Sequence, residues 1–120
     1  MNAKYWQKGE VLDYTPEEAV GNGAVVSLGT RIGIAGSDIA AGELGHVHVV
    51  GVFELDKAGG ETISMGTAVY YDAANDCVTA VASATTGEGE AAETTNNIPA
   101  GYAAADAAKD SATVLVKLLG

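Results

Sequence analysis

The chain has little of what most active sites are made from. It holds one cysteine, one tryptophan, one phenylalanine, two histidines and one arginine in 120 residues. A lone Cys77 cannot close an internal disulfide or build a thiolate metal site, so no oxidising compartment is implied and the thiol reads as an ordinary buried one. Basic residues are scarce: five lysines and one arginine face sixteen carboxylates, for a net charge of -10. A phosphate backbone would be repelled, which excludes nucleic acid as a partner. No apolar run approaches a membrane span, and the opening MNAKYWQKGEV lacks the apolar stretch of a secretion signal. The expectation is a chain made and used without a membrane address.

Helix signals are also few. TPEE offers Thr15 as a cap, Pro16 at the first helical position and Glu18 for a capping box, with Gly21 as the stop, which predicts about one turn. The alanine-rich YAAADAAKD is too short to hold a helix and reads as a loop or a single turn.

Present in quantity are sixteen glycines, which cut the chain into short runs rich in Val, Ile, Tyr and Thr. That rhythm predicts a single all-β domain over 11–120 behind an N-terminal arm over 1–10, with at most one or two helical turns. AVVSLGTRIGIA reads as a hairpin turning at Gly29-Thr30, where glycine adopts the positive φ such a turn needs. In that register Ser27 faces Ile32 and Val25 faces Ile34 on the buried side, with Leu28 and Arg31 on the other. HVHVVGVFEL alternates as one strand from His46 to Leu55, with Val47, Val49, Phe53 and Leu55 toward the core. TAVYYD and DCVTAV read as a second hairpin across AAN. The last strand, ATVLVKLL, is expected to close or edge a sheet. GVFELDKAGGETISMGTAVYYD reads as two sheet strands joined by a Gly59-Gly60 turn, its acids serving solubility and turn geometry. SATTGEGEAAETTNN, Ser83 to Asn97, has three glutamates, no base and little to bury, and reads as a mobile acidic surface loop. GNG at Gly21 to Gly23 and GEG at Gly87 to Gly89 lack the strand-to-helix setting of a phosphate cradle and read as turns.

Candidate chemistry is sparse. His46 and His48, two apart on a strand, point the same way as a metal pair would, but no third ligand lies nearby; Glu54 is roughly 20 Å along the strand. Glu54, Asp56 and Glu61 beside Lys57 have the residue types for acid–base work, with nothing in the sequence to fix their geometry. There is no nucleophile elbow, and no histidine outside the pair to act as a base. The reading is therefore not an enzyme, with no cofactor and no metal. The enzyme rival is a metal-assisted hydrolase using the two histidines. The binding rival is a soluble β-sheet module for a ligand or glycan; Tyr70 and Tyr71 alternate across their strand, so only one can line a groove.

The arm is the most informative segment. Tyr5 and the only tryptophan, Trp6, sit between Lys4 and Lys8, and large aromatics beside basic residues are the types that anchor interfaces. Two readings stand: these four residues contact a partner, or Trp6 folds back over the open end of its own sheet.

Taken in order, GEVLDYT, GAVVSLGTRIGIA, AAGELGHVHVVGVFELDKA, ISMGTAVYYDAANDCVTA and ATVLVKLLG resemble the DUF2190 family of small phage proteins, which are regarded as capsid cement or decoration proteins. The similarity runs from about Gly9 to Gly120 and rests most on GVFELDKA and GTAVYYD. The resemblance implies a compact barrel- or tulip-like domain that binds as a homotrimer to the outer surface of an icosahedral head. There it would clamp subunits of a major capsid protein of the HK97-like fold. The long acidic stretch Ser83 to Asn97 departs from the family pattern and is placed at the outward tip.

Overall fold

The computed structural model describes residues 1–86 and 93–119. In chain order its strands are β1 (Val11–Tyr14), β2 (Val25–Ser27), β3 (Ile32–Ala35), β4 (Gly45–His48), β5 (Val52–Asp56) and β6 (Ala68–Asp72). There follow β7 (Cys77–Thr79), β8 (Ser83–Thr86), β9 (Glu93–Asn96), β10 (Ile98–Ala103) and β11 (Thr113–Leu118). Two antiparallel sheets carry the fold, one in the order β1-β4-β3-β2 and one in the order β5-β11-β10-β6-β7. β8 and β9 pair only with each other. The described residues contain no helix, so the all-β class read from the glycine rhythm holds.

The short-range features follow the sequence closely. β2 and β3 pair as Val25 with Ile34 and Ser27 with Ile32, around a turn in which Gly29 has φ +94° and the Leu28 amide donates to the Arg31 carbonyl. β6 and β7 form the second hairpin, with Asp72 opposite Cys77. One side of the first hairpin differs from expectation. Ser27 is exposed, its Oγ accepting from the Gly29 amide at 3.1 Å, while Val26 on the opposite face is buried. Both faces of this sheet are used: Val26 packs with Val47 and Val49 in a small second cluster, and Ile32 and Ile34 join the main core.

Three further expectations are overturned, and a fourth is refined. His46 to Leu55 is not one strand, because Gly51 takes φ +126° and sends the chain from the first sheet into the second. Val47, Val49 and Leu55 are buried as the alternation requires, but they serve two different clusters. β5 and β6 are the two sheet strands read from the sequence, with the turn at Gly59-Gly60 between them, but they are not neighbours: β11 and β10 lie between them, and the connection is pinned by a bridge between Ile63 and Ala107. β11 does not edge the sheet: it sits between β5 and β10, with Val114, Val116 and Leu118 at 3% exposure or less. The TPEE segment is a bend, since the Val20 amide and carbonyl pair with Ile39 and the Pro16 carbonyl accepts from Gly42, leaving no backbone for a helical turn.

The sheets do not close into a barrel. β5 and β7 are the two rims of the five-stranded sheet, and they meet at one parallel bridge, Lys57 with Val78, where the Ala58 amide donates to the Val78 carbonyl at 2.8 Å. A single bridge is no ladder, and Ile32 and Ile34 of β3 share the main core with Val69, Val116 and Leu118 of the five-stranded sheet. Burying side chains of this size stabilises by about 1.5–3 kcal/mol each. The acidic stretch is not a simple loop at its ends, because β8 and β9 pair from Ser83 with Asn96 to Thr86 with Glu93. Its centre, with the GEG turn, lies outside the described residues.

Candidate interaction surface

Residues 1–8 form neither strand nor helix and are exposed throughout. Tyr5 is 81% and Trp6 83% exposed, so Trp6 does not fold back over its own sheet. Lys4 and Lys8 flank them, and no acid lies within 1–8, whereas the rest of the chain holds all sixteen carboxylates. The arm is anchored at its root, where the Glu10 carbonyl accepts from the Val49 amide at 3.0 Å and Val11 opens the ladder with β4. Beyond that root the aromatic and cationic side chains of Lys4, Tyr5, Trp6 and Lys8 stand in solvent.

The sequence-derived chemical candidates are dispersed or used structurally. His46 Nε2 lies 3.4 Å from an Asp13 carboxylate oxygen on the neighbouring strand, and His48 tilts against Phe53 at 6.0 Å between ring centroids. Among the described residues no three His, Cys, Asp or Glu side chains converge as a metal site. Of the acid group, Glu54 and Asp56 are exposed, but Glu61 is not merely solvated. Its carboxylate accepts from Thr79 Oγ1 at 2.7 Å and from the Ala80 amide at 3.0 Å, holding the connection before β6 onto the end of β7.

Lys57 went unnoticed as a structural residue. It is buried, and its ammonium donates to the carbonyls of Ala58, Glu61 and Lys109 at 2.9, 2.7 and 3.3 Å. The alternation that turns Phe53 and Leu55 inward continues to Lys57, and that parity was the available signal.

A cleft of about 180 Å³ opens at the seam between β5 and β7, lined by Glu54, Asp56, Tyr71, Asp76 and Cys77 among others. Tyr71 donates to Asp76 Oδ1 at 2.6 Å, and its phenol is pushed up to about 12, first by burial and then by that carboxylate. Burial, followed by Asp72 and Glu61, also pushes up the half-buried Cys77 thiol, which disfavours the nucleophilic thiolate. With Tyr71 turned into the core and Tyr70 half-buried, neither tyrosine offers the open aromatic platform that a glycan-binding groove needs.

Set beside known proteins, residues 6–118 match a family model described as phage cement protein. No curated protein and no solved structure matches the chain significantly.

Proposed function

The chain belongs to the phage cement protein family, and from that premise we propose that it binds the outer surface of a phage head as a homotrimer, clamping neighbouring major capsid subunits of the HK97-like fold. Membership makes it a structural, capsid-stabilising protein of the virion. The observation that carries the reading is the extent of the match, which begins at Trp6 and takes in both sheets.

The capsid-facing contact is the arm, with Tyr5 and Trp6 as anchors and Lys4 and Lys8 as their charged flanks. Two features support this. The aromatics are held in solvent beyond a fixed root, and residues 1–8 carry two lysines and no acid in a chain of net charge -10. Three arms on one trimer would meet a symmetric lattice together. Once the first is seated the others act at high effective concentration, so modest contacts add up to tight holding.

The test is to delete residues 2 to 8 and measure occupancy on expanded heads, with the mass of the free protein followed by light scattering. A trimer whose truncated form no longer occupies the heads is the expected result. Unchanged occupancy would remove the arm from the contact.

A further inference from the structure

The two large sheets repeat one plan. The first runs β1-β4-β3-β2; the second runs β5-β11-β10-β6 and is then extended by β7. With β7, β8 and β9 left out, the first, fourth, third and second strands of each half of the chain hold the same places. The likeness goes beyond order. Val11, His48, Ile34 and Val25 face one another across the first sheet, and Val52, Lys117, Tyr102 and Ala68 do so across the second. In the next row Val47 opposite Ala35 corresponds to Val116 opposite Ala103, and Val26 opposite Gly33 to Val69 opposite Gly101. The alanines and valines of that row are buried in both sheets.

The connections agree in details that strand pairing does not require. Val20 exchanges two backbone hydrogen bonds with Ile39, and Ile63 does the same with Ala107. The Gly23 amide donates to the Ala35 carbonyl and the Gly66 amide to the Ala103 carbonyl, both at 2.8 Å, from glycines at φ +81° and +88°. Asp38 Oδ1 accepts from the Asn22 amide at 2.8 Å, and Asp106 Oδ1 from the Met65 amide at 2.7 Å. Even the entries match: the Glu10 carbonyl accepts from Val49 and the Gly51 carbonyl from Leu118, both at 3.0 Å.

We infer that the chain is one four-stranded unit used twice, with β7, β8 and β9 inserted into the second copy where the first has only the turn of residues 28–31. The inference is independent of what the chain binds. Residue identities survive where the backbone or a cap demands them, as in Gly23 and Gly66, or Asp38 and Asp106. Elsewhere the copies have diverged with their surroundings: Ile34 lies in the main core at 4% exposure, while its counterpart Tyr102 is 41% exposed.

One packing contact makes the equivalence testable. Register sets Gly45 opposite Tyr14 and Val114 opposite Leu55, so Gly45 and Val114 are counterparts, as are Ile39 and Ala107. In the first unit the bulk lies on one side, since a Cβ on Gly45 would fall 2.5 Å from the Ile39 side chain. In the second unit the sizes are exchanged, with a small Ala107 and a large Val114, both buried in the main core. Exchange of sizes at a fixed total volume is how a shared packing site tolerates change.

The experiment is a pair of double-mutant cycles on the full chain, read as urea midpoints, with circular dichroism establishing folding. Ile39→Ala and Gly45→Val form one cycle, Ala107→Ile and Val114→Gly the other. Each single change is expected to lower the midpoint. Each double variant is expected to lose less than the two singles together, with a folding constant about tenfold or more above the additive value. If a single variant of the second pair does not fold, Ala107→Val with Val114→Ala runs the same cycle with smaller changes. Losses that simply add in either pair overturn the inference. The second pair is the sharper test, because the equivalence alone predicts its coupling.

Discussion

Lys57 shows how a charge can be kept inside a small β domain. Its ammonium has three protons and meets three backbone carbonyls, so the cost of removing it from water is offset by charge-assisted hydrogen bonds from two different connections. Lys57→Met keeps most of the volume but leaves those carbonyls without their donor. Urea titration should show a loss of roughly 2–4 kcal/mol; an unchanged midpoint would mean that the carbonyls find other donors. Tyr71 gives a pH signature. Its phenol is raised from 10.0 to about 12 in the folded chain, so the fold holds that proton more tightly than the unfolded chain does. Its contribution is complete below pH 10 and is lost as pH climbs toward about 12. Tyr71→Phe should flatten the alkaline limb of a stability–pH profile relative to the wild type, as measured by denaturant midpoints. At this scale the sequence was half legible: strand parity marks Lys57 as inward, but nothing near Glu61 announces that its partner is Thr79, because the fold alone brings β7 alongside.

Elements fall into two groups according to how their pairing is specified. The β2–β3 and β6–β7 hairpins were readable because their turn residues and cross-strand partners lie within a few positions of one another. The pairing of β5 with β11 was not, since alternation gives every half-buried strand the same pattern and says nothing about its neighbour. The switch at Gly51 was hidden for the same reason: both sheets bury the odd-numbered residues on either side of it. Gly101 is the more demanding glycine. It sits at the register shift in β10 with φ +149°, and a Cβ there would lie 1.9 Å from the Lys117 carbonyl oxygen. That contact is with backbone and cannot be relieved by turning a side chain. Gly101→Ala should therefore cost about 3 kcal/mol or more, seen as a lowered denaturation midpoint; a stability equal to the wild type would show that β10 and β11 can separate locally without loss.

The whole molecule is a two-sheet body carrying a basic aromatic arm, and the two parts should respond differently to mutation. Trp6 is 83% exposed, so the stability of Trp6→Ala should stay within about 0.5 kcal/mol of the wild type while occupancy on phage heads falls. Equal occupancy would relieve Trp6 of its anchoring role. That residues 1–8 stay out of both sheets fits a run with no alternating apolar pattern, two lysines and no acid. The open body was not legible, because whether rim strands join by a ladder or touch once is set by the curl of the whole sheet, which no single strand's alternation records. That single touch of Lys57 to Val78 has a consequence for the two edges it joins. There the backbones of the two rims already spend a hydrogen bond on each other, so at that point a passing chain finds no free partner for the Ala58 amide or the Val78 carbonyl.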